Sequence, residues 1–305
     1  MLPSTDFIRD SKFLITGGTG SFGKTMAKHL VENGAALVRI FSRDESKQFD
    51  LKNSLNCEEL ELVIGDVRDS SSLKKNLKGI DFVFHAAALK HVPASEENPF
   101  EYIKTNAIGS HNLLQALMDS NVQTAVFLST DKAVYPINAM GMTKALMEKL
   151  VRSSAYTSET NSCITRYGNV IASRGSIIPQ LIGKLKFNQA VHITDWRMTR
   201  FIMSLQDSVN LVLHALRNGK QGDLFVQKAP AADLRTILSA VEIVVGKKAT
   251  NVVVTGIRAG EKIHETLLNS EERSYATDDD TYFQVPSIVK QIQNLERNTN
   301  IYLTN

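Results

Sequence analysis

Two groups of residues have the types and the spacing for chemistry. The first is the run Thr16-Gly17-Gly18-Thr19-Gly20-Ser21-Phe22-Gly23-Lys24-Thr25, in which Gly17, Gly20 and Gly23 stand three apart. That spacing lets the chain turn tightly, brings backbone close to a pyrophosphate, and aims the start of the next helix at its charge. The stretch Gly18 to Thr25 also satisfies the nucleotide-triphosphate pattern G-x-x-x-x-G-K-[ST]. Both readings ask for a strand before and a helix after, so that context leaves them level. A dinucleotide fold reads its ribose about 20 residues further on, and there stand Ser42 and Arg43. A hydroxyl and a guanidinium suit a 2′-phosphate, so the expected cofactor is NADP rather than NAD. Asp66 and Val67 belong beside the adenine in the same geometry, although Asp66 alone equally fits the magnesium aspartate of an NTPase.

The second group is Ser129-Thr130-Asp131-Lys132, followed by Ala139-Met140-Gly141-Met142-Thr143-Lys144. The end of a strand beside the cofactor is where open α/β sheets place their chemistry. Met140 and Lys144 are four apart, hence on one face of a helix. A lysine there can hydrogen-bond a nicotinamide ribose and bias nearby protons by its charge. The seven histidines show no metal-ligand spacing, and no metal is expected. His85 and His91, six apart around a strand end, are expected to be structural or pocket-lining.

These groups need elements to hold them. Short, nearly continuous apolar runs at 12–16, 37–42, 60–64, 82–85 and 124–129 read as buried strands. Helical stretches at 22–33, 44–55, 70–77 and 99–120 separate them. Such alternation means right-handed crossovers and a parallel sheet with helices on both faces, an α/β, Rossmann-like doubly wound fold. A helix at 139–157 and a strand at 162–167 continue it. From about residue 173 the pattern loosens into short strands at 191–194, 224–227 and 252–255 and helices at 205–218 and 233–245. The expected division is a dinucleotide-binding domain over 1–172 and a smaller, mainly substrate-binding lobe over 173–305, some of which returns to the sheet.

Composition limits the function classes. Of 305 residues, 43% are hydrophobic and 22% charged, which excludes a disordered tail protein and a fibrous rod. Cys57 and Cys163 are too few for a disulfide scaffold and are expected as reduced thiols. No apolar run approaches the ~18 residues that span a membrane, and the first eleven residues lack a signal-peptide pattern. A soluble cytoplasmic protein is expected, with no membrane partner. The net charge of +3 comes without a basic block, so nucleic acid is not an expected partner; a local cluster for a polyanionic small molecule accounts for the excess.

The segments TGGTGSFG, FSRDE, GDVRD, HAAALKHVP, STDKA, PINAMGMTK and RYGNV resemble the extended short-chain dehydrogenase/reductase family. They most resemble its C5-inverting UDP-N-acetylglucosamine 4,6-dehydratases of bacterial surface-sugar and capsule synthesis. The likeness runs from about residue 12 to 286 and includes ITDWRMTRF and IRAGEKIHE. It implies that hydride leaves sugar C4 for NADP, that the resulting 4-ketone acidifies C5, that water is lost from C6, and that the hydride returns to C6. By the same resemblance Asp131 is the acid that protonates the departing hydroxyl, Lys132 the base at C5, and Thr130 the group that holds the C4 oxygen. Thr19, Ser21, Phe22, Lys47, Ala86, Ala87, Ala88 and Lys144 join the glycines as cofactor contacts. Lys90, Arg174, Arg200 and Arg258 are expected to meet the diphosphate of UDP-N-acetylglucosamine. Asn169 would contact the diphosphate or sugar, Glu261 the ribose or a loop, and Met140 the substrate. The family also implies a homo-oligomer, paired through the helices at 99–120 and 139–157.

One departure matters. Most of the broad family has tyrosine in Y-x-x-x-K, whose phenol takes the C4 hydroxyl proton; Met140 cannot. Lys144, through Thr130 or a water, is the first replacement to consider and Lys132 the second; Tyr135, followed by Pro136, is expected to pack or to act as a substrate lid. Adjacent Asp131 and Lys132, if in contact, stabilise each other's charged forms, whereas the chemistry needs a neutral amine and a protonated acid. Burial disfavours both charges, so desolvation must win or the pair must exchange a proton. The rival readings are an epimerase or reductase of the same fold, a non-catalytic dinucleotide sensor, and an NTPase. Arg43 and the STDK stretch disfavour the last.

Overall fold

In the computed structural model, the described residues are 6–154, 158–171, 173 and 175–287. The chain begins β1 (Lys12–Thr16), α1 (Ser21–Glu32), β2 (Leu37–Ser42), α2 (Glu45–Leu55), β3 (Leu60–Ile64), α3 (Ser70–Asn76) and β4 (Phe82–His85). Next come α4 (Val92–Glu97), α5 (Pro99–Tyr102), α6 (Gly109–Met118), β5 (Thr124–Leu128), α7 (Ala139–Ser153), β6 (Asn161–Arg166) and β7 (Asn169–Val170). The rest comprises α8 (Ile177–Lys186), β8 (Val191–Ile193), β9 (Thr199–Met203), α9 (Leu205–Asn218), β10 (Leu224–Gln227), β11 (Ala231–Asp233) and α10 (Leu234–Val245). It closes with β12 (Val252–Val254), α11 (Ser270–Tyr275), β13 (Thr277–Asp278) and β14 (Tyr282–Val285).

Among the described residues one sheet runs β13-β14-β10-β6-β5-β4-β1-β2-β3. It is parallel from β3 to β10 and antiparallel at β14 and β13. This is the doubly wound Rossmann-like α/β architecture. Strand order reverses between β1 and β4, which opens a crevice at the carboxyl ends of those strands. The central strands are mostly apolar because helices cover both faces; every residue of β5 is buried. On one face α1 buries Met26, Ala27 and Leu30 against Leu211, Val212 and Ala215 of α9 and the sheet. On the other, Leu73, Leu113, Leu117, Met147 and Val151 of α3, α6 and α7 do the same. Each such leucine stabilises the fold by about 1.5–3 kcal/mol. A third cluster, with Leu181, Leu185, Val191, Ile193, Ile237 and Val241, forms the core of the smaller lobe around α8, β8 and α10.

The chain beyond residue 173 is divided between these bodies: α9 packs on α1, and β10, β13 and β14 complete the large sheet. No helix among the described residues is long and apolar enough to cross a membrane.

The single helix expected over 99–120 runs without a gap from 99 to 118, but it is not α-helical throughout. Between α5 and α6 the backbone makes a π-helical turn, Ile103–Ile108. That bulge turns the Asn106 side chain inward, where it is fully buried. Its Oδ1 accepts from Leu89 N–H at 2.8 Å, and its Nδ2 donates to Leu89 C=O at 2.9 Å and Thr143 Oγ1 at 3.1 Å. The side chain satisfies backbone just beyond β4 that no strand partner reaches. Of the expected helix 139–157, residues 155–157 lie outside the described residues, and α7 ends at Ser153.

Candidate active site

The loop after β1 is built for close approach. Gly17 has φ +67, and a Cβ there would lie 2.7 Å from the Ala87 backbone. A Cβ on Gly23 would lie 2.4 Å from the Gly18 backbone, so α1 packs directly on the loop. Gly20 caps α1 without a side-chain hydrogen bond, and no acid stands in the first turn. The open helix N-terminus therefore presents amide hydrogens and the positive end of its dipole to an anion. Lys24 and Thr25 are not part of the cleft wall, and Thr25 Oγ1 is spent on the Ser21 carbonyl at 3.0 Å. The triphosphate reading loses its two phosphate- and metal-binding side chains.

A cleft of about 970 Å³ runs from this loop across the ends of β2, β3, β4 and β5. Its wall contains every expected cofactor position: Gly17, Thr19, Gly20, Ser21, Phe22, Gly23, Ser42, Arg43, Lys47, Asp66, Val67, Ala86, Ala87, Ala88 and Lys144. At the ribose end Asp44 caps α2 and also pairs with Lys47. Asp66 is held at 2.6 Å by Arg68 and lies 3.9 Å from Arg43. Burial opposes its ionisation, but the Arg68 hydrogen bonds and charge hold the carboxyl below the usual range. Arg43, half exposed, is a cation in the cleft wall with Asp66 at 3.9 Å and the charge of Glu101 also acting on it.

At the other end Thr130 closes β5 and Asp131–Ala133 makes a single 3₁₀ turn. The first turn of α7 presses on it: a Cβ on Gly141 would lie 2.3 Å from the Lys132 carbonyl. Thr130 and Lys132 line the cleft; Asp131 does not. Asp131 is wholly buried (0% exposed) just behind them. Its Oδ1 accepts from Thr130 Oγ1 at 2.9 Å and from Lys132 Nζ at 3.0 Å, while Oδ2 has no hydrogen-bond partner among the described residues. Lys132 Nζ also lies 3.5 Å from Glu265 Oε1. Burial pulls the Lys132 ammonium down, but the Asp131 and Glu265 carboxylates outweigh it and hold the group above the ordinary lysine value. Desolvation does not win at this pair; attraction does.

Lys144 behaves oppositely. It is buried, its Nζ is 3.2 Å from Met147 Sδ, and burial pulls it down to about 8 despite the Glu148 charge one turn on. Met140, buried at 4% exposure, lines the cleft in the same wall. Beneath Lys144, Glu148 accepts from Ser129 Oγ at 2.5 Å and from Arg166 Nη2 at 2.5 Å, and Arg166 also pairs with Glu272 at 2.8 Å. His85 bonds Thr16 Oγ1 through Nδ1 and Ser110 Oγ through Nε2. Burial and the nearby Lys144 charge push it down to about 3, so it is a neutral structural residue. His91 lines the cleft. Tyr135 is exposed at φ +47 and is not in the wall. No group of side chains among the described residues could hold a metal ion.

A family model for polysaccharide biosynthesis proteins matches residues 13–287 of the chain. The chain belongs to the polysaccharide biosynthesis protein family. A relative from Rickettsia felis, named UDP-glucose 4-epimerase, is 48% identical over 284 residues, covering 91% of this chain and 83% of its own. The X-ray structure of Pen from Bacillus thuringiensis superposes with a TM-score of 0.89 at 35% identity, over 92% of this chain and 88% of that one. A dTDP-glucose 4,6-dehydratase from Streptomyces venezuelae, crystallised with NAD, shares the fold: TM-score 0.78, 21% identity, 86% and 90% of the two chains.

In this family member the expected substrate contacts divide. Lys90, Met140 and Asn169 line the cleft, and Asn169 Oδ1 is buried without a hydrogen-bond partner among the described residues. Arg174 lies outside the described residues. Arg200, Arg258 and Glu261 are not brought to the cleft wall. The Arg200 guanidinium is used on the Thr199 and Ile263 carbonyls, at 2.8 and 3.1 Å. Arg258, 57% exposed, lies 3.9 Å from Glu261 on the outer side of the segment 256–265. That segment crosses the site: Gly260 C=O accepts from Asn138 Nδ2 at 2.7 Å, and Lys262 Nζ donates to Val134 C=O at 2.6 Å. Glu265 at its end, with a side chain 3% exposed, and Glu148 were not expected from the sequence. Glu265 carried a signal, since it closes the IRAGEKIHE stretch; Glu148 carried only its place one turn after Lys144.

Proposed function

We propose that this protein is an NADP-dependent 4,6-dehydratase of UDP-N-acetylglucosamine, inverting C5, acting in the cytoplasm in bacterial surface-polysaccharide synthesis. The observation that carries the reading is the 3.0 Å contact between Asp131 and Lys132, with Lys132 in the wall of the cleft. Moving a hydride on and off C4 needs no such pair, whereas expelling a hydroxyl needs an acid and a base.

The glycine cradle, the uncapped α1 N-terminus and Arg43 fit the pyrophosphate and 2′-phosphate of NADP. Bound there, that cofactor would supply the acceptor for the C4 hydride and the donor of a hydride to C6. Lys144, pulled down to about 8, supplies neutral amine near pH 7 for the C4 hydroxyl proton, through Thr130 or a water, in place of the missing phenol. Asp131 and Lys132 first exchange a proton, which leaves a carboxylic acid and a neutral amine. Lys132 then removes the C5 proton, and the C–H pair is held as the enolate of the 4-ketone. The enolate next forms the C5=C6 bond as C6–O breaks, and the Asp131 proton leaves with the hydroxyl as water. Once hydride has added at C6, C5 takes a proton from solvent on the opposite ring face, which inverts it. Because Asp131 sits behind Thr130, its proton reaches the cleft through the Thr130 hydroxyl that it holds. Lys90 and Asn169 stand where the diphosphate and sugar are expected. Exposed Phe100, Ile103 and Ile108 on and beside α5, with Met142 and Leu146 on α7, support a homo-oligomer paired through those helices.

The second reading, a 4-epimerase, is favoured by the name of the 48% identical relative. The products separate the two. UDP-N-acetylglucosamine incubated with the protein and NADP should give a 6-methyl, 4-keto sugar by proton NMR. A 4-epimer that keeps its C6 hydroxymethyl would establish the second reading instead.

A further inference from the structure

The segment 256–265 brings a second carboxylate to the amine, and nothing in the pair chemistry above uses it. Glu265 Oε1 is 3.5 Å from Lys132 Nζ, which also lies 3.0 Å from Asp131 Oδ1. Glu265 Oε2 is buried with no hydrogen-bond donor among the described residues, and Lys262 Nζ stands 3.6 Å from it. A buried carboxylate without donors is costly unless a charge compensates it. Glu265 is anchored tightly for a group at the end of a loop: Thr199 N–H donates to Ile263 C=O at 3.0 Å, and Thr199 Oγ1 lies 2.8 Å from His264 Nδ1.

The order of proton transfers gives this carboxylate a task. When Lys132 takes the C5 proton, Asp131 still holds the proton destined for the hydroxyl and is neutral. The new ammonium then has no charge partner on its own turn. The geometry points to Glu265 as the positioning residue that supplies the counter-charge for the Lys132 ammonium as it forms at C5. This rests on the dehydratase reading. The other charged groups around the amine are Arg200 on β9, which opposes its protonation, Lys262 beside Glu265, and Lys144 of α7 in the same cleft. A fixed charge aimed at charge that develops in the transition state is worth a large factor in rate.

The test is the pH profile of deuterium incorporation at sugar C5, followed by NMR in heavy water, with the protein loaded with NADP and given UDP-N-acetylglucosamine. In Glu265→Gln, kcat for incorporation should fall on the order of tenfold to hundredfold with KM little changed. The limb that falls at high pH, where the Asp131–Lys132 pair loses the one proton it shares, should move to lower pH, because the amine has lost a carboxylate that favours its charged form. Glu265→Asp, which keeps the charge one methylene further back, should return the limb part of the way, and it keeps the test readable if the glutamine variant does not fold. Incorporation in the parent with superimposable limbs in parent and variants would overturn the role of Glu265 alone. A parent that makes a 4-epimer without label at C5 would overturn the dehydratase reading, and the role with it.

Discussion

Lys144 Nζ lies 3.2 Å from the thioether sulfur of Met147, a weak acceptor that carries no charge. The amine is thus buried in α7 with only Glu148, one turn on, to favour its charged form, and it is pulled down to about 8. Asp131 and Glu265 do the reverse for Lys132. One cleft therefore holds two lysines moved in opposite directions, the arrangement that separates acid and base roles in a shared site.

If Lys144 receives the C4 proton, its neutral form is the active one. The single-turnover rate of nicotinamide reduction should then climb about tenfold per pH unit below 8 and level off above it. Lys144→Met should remove the dependence along with most of the rate. A flat profile between pH 6 and 9 in the parent would assign that proton elsewhere.

The glycine cradle predicts a steric effect. Gly17→Ala must place a Cβ 2.7 Å from the Ala87 backbone at φ +67, a conformation L-residues avoid. Affinity for the dinucleotide should drop by a factor of about ten or more, given that backbone strain of this kind costs roughly 1–3 kcal/mol. Titration of cofactor fluorescence measures it, and unchanged affinity would show that the loop does not approach the pyrophosphate.

Arg43 faces the cleft 3.9 Å from Asp66. Replacing it by aspartate should weaken NADP by about ten- to a hundredfold, the range of a lost charge-assisted hydrogen bond, and should leave NAD nearly untouched. Equal losses for the two dinucleotides would argue against recognition of a 2′-phosphate.

Arg166 is buried between Glu148 and Glu272 at 2.5 and 2.8 Å. Glu272→Ala leaves the buried guanidinium with one carboxylate instead of two, beside the Leu267 carbonyl, which should cost about 3 kcal/mol. Urea denaturation checks this; a midpoint within error of the parent would mean that water replaces the carboxylate.

The strands of the sheet were legible because a strand covered on both faces is mostly apolar without the alternation of a half-exposed one: the expected ranges 12–16, 37–42, 60–64, 82–85 and 224–227 coincide with β1 to β4 and β10. The cleft wall near Gly17, Ser42, Asp66 and Thr130 was legible because each lies just after a strand, where the fold places ligands. What stayed hidden depends on contacts between distant residues. The π-helical turn between α5 and α6 is set by Asn106 reaching Leu89, seventeen residues back. Glu265 meets Lys132 across 133 residues, and Arg200 is turned to the Ile263 carbonyl. No local periodicity encodes any of these, and the three short strands β7, β9 and β11 pair only because that chain folds back on itself.

The central claim is that Lys132 moves the C5 proton, and the most direct measurement is solvent deuterium at C5 in the sugar product of Lys132→Met against the parent. The account predicts label at C5 in the parent and none in the variant, with reduction of the bound nicotinamide retained in both. Label at C5 in a folded Lys132→Met protein would contradict it.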